Sequence, residues 1–179
     1  MLKDRHYEPL KLLRPISPVL DVSSVNQVLC AGNDPDINRR IEPMLWCKVS
    51  IVKQQGEILR KINRPNTGCL ANPIHFYRAQ NEYRDIDNLP AGSLKYCQLC
   101  DITAEMPDTM DGILYQARNF RLSSGTGAAY LVQLLKHLPN LTISIEACNA
   151  NLALTMSPLD HALMYLENMV AVLNAAGEH

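Results

Sequence analysis

From Leu141 to Ala147 apolar and polar residues alternate strictly, and shortly afterwards Ser157-Pro158 opens a long apolar stripe. Strict alternation marks a strand with one buried face. Leu159, Ala162, Leu163, Leu166, Met169, Val170 and Leu173 recur at the spacing of an amphipathic helix, and Gly177 suits its end. Upstream, residues 113–117 read as a buried strand. Apolar residues at 128, 131, 132, 134, 135 and 138 read as a helix, with Lys136 and His137 in its last turn. Strand, helix, strand, helix across 112–176 predicts a parallel pair joined by a right-handed crossover. The chain is therefore expected to be α/β: a three-layer sandwich with a mixed, partly parallel sheet and a C-terminal βαβα unit.

The N-terminal half carries weaker signals. Pro9, Pro15 and Pro18 predict an extended arm over 1–20, leaving 21–179 as a single α/β domain. A short helix is expected over 21–31. Asn33-Asp34-Pro35 offers a cap and a first-turn proline for a second helix to about Ile41. Residues 44–53 and 57–63 read as a hairpin turning at Gln54-Gln55-Gly56. Residues 63–73 read as loop, 74–79 as a short strand and 94–102 as another strand.

The 179 residues are 47% apolar and 20% charged, enough to bury a core without covalent staples. A formal net charge of −1 gives no field for nucleic acid or an anionic membrane. No apolar run approaches the roughly 18 residues of a membrane span. The polar start lacks a secretory leader. The six cysteines are expected as reduced thiols of a cytoplasmic protein, with delivery to another cell left open. Another protein is the expected partner, and no cofactor or metal is expected.

Three constellations carry candidate chemistry. Cys148 closes the 141–147 strand and shares its polar face with Thr142, Ser144 and Glu146; a thiol there can act as a nucleophile if ionised. A base would come from His75, with Asp101 or Asp111 as the orienting acid. Ser123, Ser124, Gly125, Thr126 and Gly127 form a glycine-rich turn whose amides suit an anion, although the third glycine of a dinucleotide loop and the lysine of a P-loop are missing. Arg118 and Asn119, just past the 113–117 segment, would line the same site. Cys97-Gln98-Leu99-Cys100 has the spacing of a metal knuckle or redox pair, but it lies in a strand pattern, no second Cys-x-x-Cys or His-x-x-x-His exists, and the only nearby pair is Cys69 with His75 across a loop.

The run of strand, polar turn, helix (Leu131-Val132-Gln133-Leu134-Leu135) and strand ending in Ala147-Cys148-Asn149 resembles the caspase-like cysteine peptidases, including their toxin-processing and CHAT-type branches. The resemblance spans about 112–173. It implies Cys148 as nucleophile and a catalytic histidine after the earlier strand, where this chain has Ala117-Arg118-Asn119. Two readings stay open: a non-catalytic binding or regulatory protein, such as a partner-binding effector or an inactive relative of a cysteine peptidase, and a cysteine-dependent hydrolase using Cys148.

Overall fold

The computed structural model describes residues 39–177. The expected arm over 1–20, the helix over 21–31 and Cys30 lie outside them. Four strands form one sheet in the order of the sequence: β1 (Arg39–Ile41), β2 (Thr67–Ala71), β3 (Leu94–Leu99) and β4 (Thr142–Ile145). Every pair is parallel, with Ile41 beside Cys69, Ala71 beside Cys97 and Leu99 beside Ile145. The sheet is therefore parallel rather than mixed. Each crossover moves one strand over in the same direction. Right-handed crossovers then put the helices on one face, as in a barrel, instead of on both faces of a sandwich.

The predicted hairpin is a helix, α1 (Val52–Ile62). Val52, Gln55, Gly56, Leu59 and Ile62 are its buried residues, a spacing of three and four. The Gln54 side chain accepts from the backbone of Ser50 at 2.9 Å, serving the helix start rather than a turn. Gly56 is small for packing: a Cβ there would stand 3.3 Å from Leu89. Asn63, at φ 43°, ends the helix in the left-handed region.

The expected strand at 74–79 is also helical, α2 (Pro73–Arg78), with Pro73 at its first position and Asn72 extended before it. A short α3 (Tyr83–Asp87) follows. The expected strand at 113–117 lies in α4 (Met110–Asn119), where Thr109 caps by accepting from Gly112 at 3.1 Å and Ile113, Gln116 and Ala117 are buried. Helix α5 (Leu131–Lys136) is shorter than the 128–138 reading, because the Ala128 and Ala129 amides bond to the Ile102 carbonyl and the Asp101 carboxylate instead. After β4 come α6 (Ala150–Thr155) and the long α7 (Pro158–Ala176). Helix α7 begins at Ser157 and stops at Gly177 (φ 84°), as its sequence signals require.

The main core lies between sheet and helices. Cys69, Cys97 and Leu99 from the strands meet Leu59, Leu131, Leu134, Leu135 and Val172 from the helices. A smaller cluster of Ile74, Cys100, Ile102 and Ala117 closes the C-terminal edge. Among the described residues no helix is long and apolar enough to cross a membrane.

Candidate functional site at the carboxyl edge of the sheet

Ile41, Ala71 and Leu99 pack into the helix-side core. Side chains alternate along a strand, so the residue following each turns to the opposite face. Those residues are Glu42, Asn72 and Cys100, and the residue following Ile145 at the end of β4 is Glu146. Four consecutive parallel strands thus deliver two carboxylates, an amide and a thiol to one rim. In parallel α/β sheets this is where ligands bind.

Asn72 is the hub. Its Nδ2 donates to Glu42 Oε1 at 2.9 Å and to Glu146 Oε2 at 2.7 Å. Its Oδ1 accepts from the Cys100 thiol at 3.6 Å. Glu146 lies two strands from Asn72, so the sheet curls enough to bring the ends of β2 and β4 together. Arg121, buried just after α4, donates from Nη1 to Glu146 Oε2 at 2.5 Å and to the Glu146 carbonyl at 3.2 Å. Its Nε donates to the Ala117 carbonyl at 2.6 Å. The backbone of Arg121 is fixed in turn, its N–H donating to the Cys148 carbonyl and its carbonyl accepting from Asn149 Nδ2. His75, one turn into α2, places Nε2 3.6 Å from Glu42 Oε1 and meets Trp46 edge to face at 5.0 Å.

This environment moves the proton affinities of the rim. Burial, and next the neighbouring Glu146 carboxylate, push the Glu42 carboxyl up to about 7; the Asn72 hydrogen bond and the Arg121 charge act against this. Burial, helped by the Arg121 charge, lowers His75 to about 3, so its imidazole is neutral near pH 7. Burial raises the Cys100 thiol to about 11. The rim therefore holds a carboxyl that exchanges its proton near neutrality, a second carboxylate paired with a guanidinium, and a neutral imidazole.

The donor set does not converge on a metal. Among the described residues no group of three or more His, Cys, Asp or Glu side chains is placed to hold an ion. Cys97 and Cys100 are both fully buried, one in the main core and one in the rim cluster.

The residues expected from sequence to form a site are dispersed. Cys148 is exposed in the loop after β4. His75 faces Glu42 and Trp46. Asp101 is fully buried, and its carboxylate accepts from four backbone amides: Ile102 and Ala129 on Oδ1, at 2.8 and 2.9 Å, and Gly125 and Gly127 on Oδ2, at 2.9 and 3.0 Å. The glycine-rich turn from Ser123 through Ser124, Gly125 and Thr126 to Gly127 thus spends its two glycine amides on the protein's own carboxylate. Gly127 is required there, because a Cβ would collide with the Ile102 carbonyl and that carboxylate. Arg118 is exposed on α4, and Asn119 donates to the Tyr115 carbonyl at 3.4 Å within the same helix. Of these residues only His75 belongs to the rim cluster. Glu42, Asn72, Arg121 and Glu146 were missed, although Glu146 had been placed on the polar face of the 141–147 strand.

No protein-family model and no curated protein matches the chain. Solved structures do match in fold. The IolI protein, crystallised with a binding zinc atom, has a TM-score of 0.69 and 17% identity, covering 85% of this chain and 55% of that one. A xylose isomerase-like TIM barrel/4-hydroxyphenylpyruvate dioxygenase fusion protein has a TM-score of 0.74 and 18% identity, over 85% of this chain and 25% of that one. A xylose isomerase domain protein from Alicyclobacillus acidocaldarius has a TM-score of 0.56 and 21% identity, over 78% and 50%. The chain spans about half the length of the first and third of these. The likeness is to barrel proteins and overturns the resemblance to caspase-like peptidases. The strand that would end in the catalytic histidine is helix α4. With that resemblance go both functional readings built around it, the Cys148 hydrolase and the non-catalytic relative or effector.

Proposed function

We propose that this chain forms part of a (β/α) barrel whose rim moves a proton on a small sugar-like carbonyl substrate, as an isomerase. The observation that carries the proposal is Glu42: a carboxyl raised to about 7, at the carboxyl end of a parallel strand, beside a second carboxylate held by Arg121. A general base works best with a pKa near the working pH. Glu42 takes the proton from the carbon next to the carbonyl, giving an enediol. It returns that proton to the adjacent carbon, the former carbonyl carbon, while the hydroxyl proton passes to the former carbonyl oxygen. No oxidant or reductant is needed. Glu146 is placed to accept from substrate hydroxyls, and Asn72 keeps the two carboxylates at fixed separation.

The xylose isomerase-like names of the fold neighbours support this class of substrate. Among the described residues β1 and β4 stand at the edges of the sheet, open to the further strands that would close a barrel. Leu159, Leu163, Leu166 and Val170 lie exposed along one stripe of α7, the helix after edge strand β4. The rest of the barrel would cover them.

One neighbour binds zinc. The rim of this chain does not fit that ion, since the amide group of Asn72 stands between the two carboxylates that would hold it.

The test is proton exchange. Aldoses, ketoses and cyclic polyol ketones are incubated with the chain in deuterated water and read by proton NMR. Deuterium is expected next to the carbonyl of at least one substrate, and the Glu42→Gln protein should lose it by about two to four orders of magnitude. Equal exchange by both proteins would refute the assignment.

A further inference from the structure

We propose that Asn72, with Arg121, takes the place of a divalent cation between Glu42 and Glu146, and that exchanging the Asn72 amide for a carboxylate is enough to let this rim bind metal. The inference concerns metal binding and stands whether or not the proton-transfer reading holds.

Zinc is held by oxygen and nitrogen donors at about 2.0–2.2 Å that all point at one spot. Between Glu42 Oε1 and Glu146 Oε2 that spot is filled by Asn72 Nδ2, whose two hydrogens satisfy one oxygen each. An amide nitrogen has no lone pair to give a metal. Turning the amide over would set a third oxygen against two carboxylates and would deprive the Cys100 thiol of its acceptor. The orientation is therefore fixed by partners on both sides. Arg121 completes the substitution by supplying positive charge to Glu146 at 2.5 Å.

The same geometry says what a single change would do. In Asn72→Asp the side chain keeps its shape but offers oxygen where the amide nitrogen was. Glu42, Glu146 and the new carboxylate then all offer lone pairs, and a small rotation of the residue 72 side chain opens the spot between them, with the neutral imidazole of His75 already 3.6 Å from Glu42. Three carboxylates would repel one another without a cation, so metal binding relieves a cost that wild type does not carry.

Zinc is titrated calorimetrically into the otherwise native chain carrying Cys148→Ser, which removes the exposed thiol as a competing ligand. That chain is expected to show no zinc binding that Glu146→Gln abolishes. Adding Asn72→Asp is expected to create one equivalent of binding, roughly a hundredfold tighter than any residual affinity, and Glu146→Gln should remove it. Stoichiometric zinc on the Asn72 protein, lost with Glu146→Gln, would overturn the proposal. So would a folded Asn72→Asp protein that gains no site. If Asn72→Asp fails to fold in zinc-free buffer, refolding with and without zinc decides: recovery only with zinc supports the proposal, and failure in both overturns the claim for Asn72.

Discussion

The guanidinium of Arg121 meets the carboxylate of Glu146 at 2.5 Å, and the two differ sharply in exposure: the arginine side chain is 7% exposed and the glutamate 33%. The pair is thus anchored on the buried side and open on the other, so that a ligand can reach the carboxylate without disturbing the guanidinium. Arg121→Met keeps much of the length but removes the charge and the donors to Glu146 and the Ala117 carbonyl. Breaking a fully buried pair costs about 3–5 kcal/mol; with Glu146 partly in solvent, about 2 kcal/mol is expected in urea unfolding. Exchange protection should fall first around 117–121 and 146–149.

Asp101 ties the loop after β3 to the 123–129 turn through three amide hydrogen bonds, and accepts a fourth from Ile102 in its own loop, in a fully buried setting. Asp101→Asn turns one acceptor oxygen into a donor facing amides that are themselves donors. A loss of about 2–4 kcal/mol is expected. Amides 125, 127 and 129 should become the fastest to gain exchange. A catalytic role for Asp101 would instead predict lost activity at unchanged stability.

Thiol reactivity separates Cys148 from the core cysteines. Cys69, Cys97 and Cys100 are fully buried, and burial raises their thiols to about 11, 12 and 11. Iodoacetamide at pH 8 should modify exposed Cys148 in the native protein and leave these three untouched until denaturant is added. Native proton-exchange activity should survive the modification of Cys148, since that thiol is no part of the rim cluster. Complete inactivation in step with its alkylation would restore a nucleophilic role.

Glu42 and His75 pull stability in opposite directions with pH. The Glu42 carboxyl is raised in the folded state, from an ordinary 4.5 to about 7, so its contribution is full below 4.5 and is lost as pH rises through 7. His75 is lowered from 6.5 to about 3, so its contribution is full above 6.5 and is lost as pH falls toward 3. Between 4.5 and 6.5 the two slopes oppose, which predicts a shallow profile in the native protein. Glu42→Gln leaves the His75 slope alone, so its unfolding free energy should rise with pH across that window. Denaturant midpoints from pH 4.5 to 7.5 check this, and parallel curves for both proteins would refute it.

The C-terminal third was legible because its elements obey local rules that tertiary packing did not override. Alternation fixed β4, and Ser157, Pro158 and Gly177 bounded α7. The rest failed for physical reasons. Strand β1 is three residues long and β2 begins Thr67-Gly68, too short and too glycine-rich to show a period. Gly68 is there because a Cβ would strike the Ser93 carbonyl and the Lys95 side chain, a neighbour-strand contact invisible in sequence. In α4, Ile113, Leu114 and Ala117 look like a strand core until the Thr109 cap is recognised. The site was missed for the same reason as its strands: Glu42 and Asn72 gain meaning only as the first residues beyond β1 and β2. His75 was read as the partner of a thiol, whereas the structure sets it against the Glu42 carboxylate. Cys148 drew attention because it ends a strand, yet Glu146 faces the rim and Cys148 lies beyond it.

The most direct test is the titration of Glu42 itself. The chain is labelled with glutamate carrying ¹³C at the side-chain carboxyl, its Glu42 resonance is assigned by comparison with Glu42→Gln, and the chemical shift is followed from pH 3 to 9. The account predicts a midpoint near 7 that falls only part of the way toward the ordinary glutamate value when Glu146→Gln removes the neighbouring charge, because burial is the larger cause. A midpoint near 4.5 in the native protein would contradict it, because the rim would then hold an ordinary surface carboxylate and no base poised for proton transfer.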